Sequence, residues 1–235
     1  MQLFYFPSLT EQTKSFSFSK EESKHIVKVL RKKENDNLFV TNGLGYLFST
    51  KIATASESKC TVDILSFEKQ ESPKIHLHLA VAPTKMNERY EWFLEKVTEI
   101  GVQEITPIIC DHSERKTIKI ERFEKILLSA MKQSNQYFLP KLNSPISFKE
   151  FIKQEKNSQK FIAHCYEDEK MDFKNSFNLK EDILLLIGPE GDFSSEEVIL
   201  AIQNNFKPVS LGNTRLRTET AAIIGCHTVA VMQSN

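Results

Sequence analysis

Glycine is scarce in this chain, with 7 among 235 residues, so any local cluster of it needs a reason. Cysteine is scarcer. Cys60, Cys110, Cys165 and Cys226 stand far apart with no C-x-x-C pair, which argues against a zinc site and against a disulfide framework. They are expected to be buried thiols in a reducing compartment. Net charge is missing too, because 31 basic residues balance 31 acidic ones. A generally basic nucleic-acid binder is excluded, and positive charge for RNA must be local. No signal peptide opens the chain and no apolar run approaches a bilayer span, so no membrane partner and a cytoplasmic location are expected. G-x-G-x-x-G, G-x-x-x-x-G-K-[ST], G-x-S-x-G and H-E-x-x-H are all absent. Dinucleotide folds, P-loops, serine hydrolases and zincins lose their signatures accordingly. His76 and His78 share a strand face without a third ligand nearby, so no metal is expected.

What is present reads as an ordinary soluble globular protein, 40% hydrophobic and 26% charged. Leu3–Phe6 and Phe16–Phe18 are short strand candidates. Ser19 and Glu22 form a capping box that opens a helix through Ile26, Val27 and Leu30. Leu38–Thr41 and Tyr46–Ile52 flank Asn42-Gly43 as a hairpin, and Cys60–Phe67 is a further strand. Residues 1–70 are therefore expected to form a small β-barrel. The polar, Pro73-containing stretch Glu68–Lys74 is the linker, and residues 75–235 are the second domain.

There the period changes. Ile75, Leu77, Leu79 and Val81 alternate as a strand, and Met86 to Ile100 follow at helical spacing, closed by Gly101. Strands at Ile105–Cys110, Phe161–Tyr166, Ile183–Ile187 and Val209–Leu211 interleave with helices around Phe123–Met131, Ser194–Asn204 and Glu219–Met232. That alternation predicts an α/β domain with a mainly parallel sheet.

Two turns in this domain carry possible chemistry. After the apolar run Ile183–Ile187 come Gly188-Pro189-Glu190-Gly191, then Ser194 and Glu197 as a capping box with Phe193 and Val198 as its staple. Such a turn lies at the carboxyl edge of a sheet, where α/β proteins bind ligands, and it also reads simply as a tight strand-to-helix connection. After Leu211-Gly212 comes a polar loop with Arg215 and Arg217, then Thr218 as a possible N-cap with Glu219 in the first turn. Local positive charge gathers at Lys24, Lys28, Arg31, Lys32 and Lys33. A second run, with Arg115, Lys116 and Lys119, is diluted by glutamates. Either run reads as a solvated face or as a phosphate contact.

Taken together, L-I-G-P-E-G and L-G-x-x-x-L-R-x-E-T-A in this order resemble the RsmE family of SPOUT methyltransferases. Lys96–Val102, Gln133-Ser134 with Pro140, and His25–Arg31 (HIVKVLR) extend the resemblance across the chain. It implies a PUA-like β-barrel followed by a trefoil-knotted α/β domain with a parallel sheet, a homodimer, and S-adenosylmethionine as cofactor. The substrate it implies is N3 of a uridine in 16S ribosomal RNA of the small ribosomal subunit. Three positions depart from the family pattern: Asp192 stands where a second glycine is usual, Asn135-Gln136 where an arginine is usual, and Thr214 where the arginine comes one residue later as Arg215.

The resemblance places the cofactor against Leu186, Ile187, Gly188, Pro189, Glu190 and Gly191 of the first turn. On the second turn it uses Leu211, Gly212, Leu216, Arg217 and Thr218. Arg217 is expected to favour the uridine N3 anion, with Glu190 or Glu219 accepting the proton. Lys24, Lys28, Arg31 and Arg115 are the expected RNA contacts. Two alternatives stand beside this reading: a SPOUT enzyme with another RNA target, and a non-catalytic RNA-binding or ribosome-assembly factor.

Overall fold

A computed structural model describes residues 1–154, 158–166 and 170–234. The chain folds as two units, Met1–Ser72 with Met131–Leu139, and Pro73–Ala130 with Pro140–Asn235. In the first unit the strands are β1 (Leu3–Tyr5), β2 (Ser15–Ser17), β3 (Asn37–Thr41), β4 (Tyr46–Thr54) and β5 (Thr61–Lys69), with α1 at Lys20–Lys24. They form one sheet in the order β1-β3-β4-β5-β2. Its two edge strands meet through rings: Phe6 lies 4.4 Å from Phe16 and Phe4 lies 5.6 Å from Phe18. The sheet thus curls into a small barrel whose remaining side is closed by aromatic packing.

The helix opening at Ser19 carries only the Ser19 half of the expected capping box, with Ser19 Oγ accepting from Glu22 N at 3.2 Å. It does not continue as a plain α-helix. From His25 to Val29 it widens into a π-helical turn, and Arg31 then adopts φ 55°. The wide turn keeps Ile26 fully buried while Lys24, Lys28 and Arg31 stay exposed.

The β3–β4 hairpin is also looser than a two-residue Asn-Gly turn, since Thr41 pairs with Leu47. Its loop docks the segment after the third helix: Gly45 N donates to Tyr137 O at 2.9 Å and Leu139 N to Gly43 O at 2.9 Å. The Phe138 ring occupies the space a Gly45 side chain would need. Residues 131–139, which the sequence assigns to the second domain, therefore pack with the first.

The second unit contains β6 (Leu77–Val81), α2 (Asn87–Ile100), β7 (Glu104–Ile109), α3 (Ile120–Gln133, up to Ala130), β8 (Lys141–Leu142), β9 (Ile146–Ser147) and α4 (Phe148–Gln154). After these come β10 (Gln159–Ala163), β11 (Met171–Asp172), β12 (Ile183–Ile187), α5 (Ser195–Gln203), β13 (Lys207–Ser210) and α6 (Thr218–Gln233). The sheet runs β11-β13-β10-β12-β6-β7-β8, with β9 beside β7, and every pairing is parallel. Every residue of β6 and β12 is buried, as expected of strands covered on both faces. Helix α4 escapes the sequence reading because its stripe, Phe148, Phe151 and Ile152, spans under two turns.

The chain path after β13 positions the site. β13 lies beyond β10, yet α6 packs back on α2, β6 and β12. Residues 211–217 bring the chain back past Ala163 and Ile187, at the carboxyl ends of β10 and β12. Among the described residues, no helix is long and apolar enough to cross a membrane.

Candidate active site at the carboxyl edge of the parallel sheet

Three adjacent parallel strands end level with one another. Ala163 of β10 pairs with Ile187 of β12 on one side and with Val209 of β13 on the other. Their three following loops therefore converge, as ligand sites in open α/β sheets do. Two adjoining cavities of about 320 and 350 Å³ lie there, sharing Ala163, Cys165, Arg215, Leu216 and Ala221 as walls. The smaller is completed by Val209 to Thr214 with His164 and Lys170, the larger by Ile187 to Glu190, Asp192, Arg217 and Thr218.

A direct bond joins the two turns. Thr218 Oγ1 donates to Gly188 O at 2.9 Å, with both groups buried. Thr218 is thus not the helix cap that its position suggests; Arg217 holds the N-cap position, with extended backbone and no side-chain cap bond. Freed from capping, the threonine hydroxyl satisfies a carbonyl that a sharp turn would otherwise leave unpaired.

The first turn is braced from below. Ser194 and Glu197 form the expected capping box. Glu197, 1% exposed, also accepts from Asp111 N at 2.9 Å, and Ser194 Oγ donates to Asp111 Oδ2 at 2.9 Å. Burial holds the Glu197 carboxyl above its ordinary pKa despite these bonds.

The predicted site residues divide. Ile187, Gly188, Pro189, Glu190, Leu211, Gly212, Leu216, Arg217 and Thr218 line the cavities. Leu186 does not: it is fully buried in the core with Ile162 and Leu184, because strand alternation turns it to the packed face of the sheet. Gly191 lines neither cavity, and its carbonyl instead lies 3.0 Å from His112 Nδ1. Glu190 is exposed, with Oε1 accepting from Lys85 N at 3.0 Å. Glu219 lines neither cavity; it is 6% exposed, with Oε1 3.9 Å from Arg89 Nε and Oε2 buried without a hydrogen bond.

Arg115 directs its guanidinium to the carbonyls of Thr84 and Lys85, at 2.7 to 3.2 Å, so most of its fork serves the turn after β6. His78, buried between strands, bonds Thr106 at 2.7 Å, and burial lowers its pKa to about 4. It stays neutral, and among the described residues no metal-binding cluster exists.

Sequence reasoning missed the third loop. It extends the strand to Tyr166, whereas β10 stops at Ala163 and the next residues turn into the cavity. No local sequence signal marks its start; the level ends of the paired strands do. Cys165 belongs to this loop and is exposed, unlike the buried Cys60, Cys110 and Cys226. Partial desolvation of its sulfur by the cavity wall, with Asp192 nearby, raises the thiol pKa, so it remains protonated.

With this geometry in view, residues 70–230 match the RNA methyltransferase domain family and residues 18–65 the RNA methyltransferase PUA domain. A ribosomal RNA small subunit methyltransferase E from Buchnera aphidicola is 34% identical over 92% of this chain and 88% of its own. The chain belongs to the ribosomal RNA small subunit methyltransferase E family. A crystal structure of a probable rRNA methyltransferase from Porphyromonas gingivalis superposes with a TM-score of 0.92 at 40% identity, covering 100% of this chain and 99% of the other. The methyltransferase E from Neisseria gonorrhoeae, bound to S-adenosyl methionine, gives 0.86 at 25% identity, with coverage of 100% and 97%. The PUA-type barrel and the SPOUT-type parallel sheet are thus the family's architecture.

Proposed function

We propose that the protein uses S-adenosylmethionine to methylate N3 of a uridine in 16S ribosomal RNA, as a homodimer, in the cytoplasm where small subunits assemble. The observation that carries this reading is the bond between Thr218 and Gly188, which fuses the two turns into one ligand site. The site suits a nucleoside. Ile187, Val209 and Leu216 offer apolar walls, while the backbone at Gly188, Leu211 and Gly212 is open to it. Bound there, S-adenosylmethionine supplies an already activated methyl group, which leaves positioning and charge control to the protein.

Arg217 is exposed at the cavity and has no side-chain partner among the described residues. It is therefore available to favour the uridine N3 anion by charge. Glu190 shares that cavity and keeps one oxygen free of Lys85 N, so it is our acceptor for the N3 proton. Glu219, buried against Arg89, anchors α6 instead. Lys24, Lys28 and Arg31 remain the RNA phosphate contacts on the barrel, being exposed together around the π-helical turn. A second copy has apolar surface to cover at Val231 and Met232, 45% and 37% exposed near the end of α6.

The test has two arms. Calorimetry with S-adenosylmethionine reads the cofactor site, and mass spectrometry of 16S ribosomal RNA from cells with and without the protein reads the product. Arg217→Ala is expected to keep cofactor affinity within severalfold while removing most turnover. No heat of binding, or an unchanged methylation pattern, refutes the reading.

A further inference from the structure

We propose that Asp192 is a positioning residue: its carboxylate clamps the loop after β10 onto the first turn and so fixes the width of the cofactor cavity. What fills that cavity rests on the function proposed above; the clamp itself does not.

Asp192 adopts φ 63°, a left-handed conformation disfavoured for residues with a side chain. Strain of this kind persists where the surroundings over-determine it. Its backbone closes the turn, with Asp192 N donating to Pro189 O at 2.9 Å. Its side chain then accepts two backbone donors. Oδ1 takes Phe193 N at 2.8 Å, a local bond that any turn of this shape can use. Oδ2 takes Cys165 N at 2.7 Å, across 27 residues of chain, and the turn itself has no need of that bond. Charge-assisted bonds of this length are among the stronger ones available to a backbone donor.

The clamped loop carries one further tie to the same place and is held together within itself. Tyr166 Oη donates to Phe193 O at 2.8 Å. Inside the loop, Lys170 Nζ donates to His164 O at 2.8 Å and to Tyr166 O at 2.5 Å. Cys165 is a wall of both cavities, so a loop that swings at Cys165 changes both at once. Asp192 itself lines the larger one, beside Arg215. A site held in shape before its ligand arrives binds with less loss of loop freedom.

The experiment compares the full-length wild type with Asp192→Asn and Asp192→Gly. Calorimetry measures S-adenosylmethionine and S-adenosylhomocysteine binding, and ligand-free amide exchange by mass spectrometry follows residues 163–166. Asp192→Gly relieves the backbone strain and removes both acceptors. It is expected to weaken both ligands about tenfold and to speed exchange in the loop. Asp192→Asn, which tolerates the backbone and keeps one acceptor, is expected to fall between. The cofactor KM rises more than kcat falls. Unchanged affinity and unchanged exchange in Asp192→Gly overturn the clamp. So does a loss confined to the cationic S-adenosylmethionine, which would make Asp192 a charge and not a brace. If the wild type binds neither ligand but exchange still quickens in Asp192→Gly, the clamp stands and the cofactor reading falls.

Discussion

The two turns that make the site are built on opposite principles. The turn after β12 is tied on every side: Thr218 takes the Gly188 carbonyl, Lys85 N bonds Glu190, and Asp192 and the Ser194–Glu197 box hold its far end. The turn after β13 is exposed from Gly212 to Arg215, and its side-chain hydrogen bonds are local, Ser210 Oγ with the backbone N and O of Gly212. Both arginines of the second turn project without an ion pair among the described residues. A methyl-transfer site needs one wall that does not move and one that admits a cofactor and a large substrate. The difference between the turns supplies both.

Removing the brace is the largest way to break this comparison. Glu197→Ala leaves Asp111 N and Ser194 N without their buried acceptor, and we expect a loss of about 3 kcal/mol in urea unfolding. Glu197→Gln keeps one acceptor and loses less. The pair also has a pH signature. Because the folded-state pKa of Glu197 is raised, its contribution is fully present below the ordinary carboxylate pKa and is lost as pH rises through the raised value. The stability difference should therefore shift towards Glu197→Gln as pH rises, and a difference independent of pH would place the raised carboxyl elsewhere.

Crowding comes next. A Cβ on Gly188 would stand 3.1 Å from the Phe193 ring and 3.2 Å from Phe193 N, inside the packed turn. Gly188→Ala is expected to cost about 2 kcal/mol in a thermal melt and to weaken cofactor binding by at least tenfold. Thr218→Val, which keeps the shape but removes the donor to Gly188 O, is expected to cost about 1.5 kcal/mol. If Thr218→Val matches the wild type in stability and cofactor affinity, the two turns are neighbours without being coupled.

The sequence makes some of this legible and hides the rest for physical reasons. The capping box at Ser194 and Glu197 is readable because its chemistry is local and its spacing fixed. The first glycine turn is readable because it follows the apolar strand β12, and the second because Gly212 and a polar loop precede a helix. Thr218 misleads, since a threonine before a helix is an ordinary cap, and its true partner Gly188 lies 30 residues away. Leu186 misleads in a similar way: a residue next to a turn looks available, but strand alternation points it into the core. The loop at His164–Tyr166 was hidden because its residues are as compatible with a strand as with a turn, and only the level ends of β10, β12 and β13 stop it. Arg115 looked like an RNA contact because charge can be counted from sequence, whereas the Thr84 and Lys85 carbonyls it serves cannot.

The smallest expected effect sharpens the comparison most. Gly212 has φ 139°, and a Cβ there would meet nothing within 4 Å. Gly212→Ala therefore introduces backbone strain without a clash, and an exposed turn with local ties can relax most of it. Stability should fall by less than about 1 kcal/mol, well short of the Gly188→Ala cost. Cofactor affinity should fall severalfold even so, because a relaxed turn must return to the strained shape to close on its ligand. Paired melting and calorimetry on the two glycine variants check this directly. Equal stability losses at Gly188 and Gly212 would mean that the second turn is as firmly built as the first, and the division into a fixed wall and an admitting wall would fail.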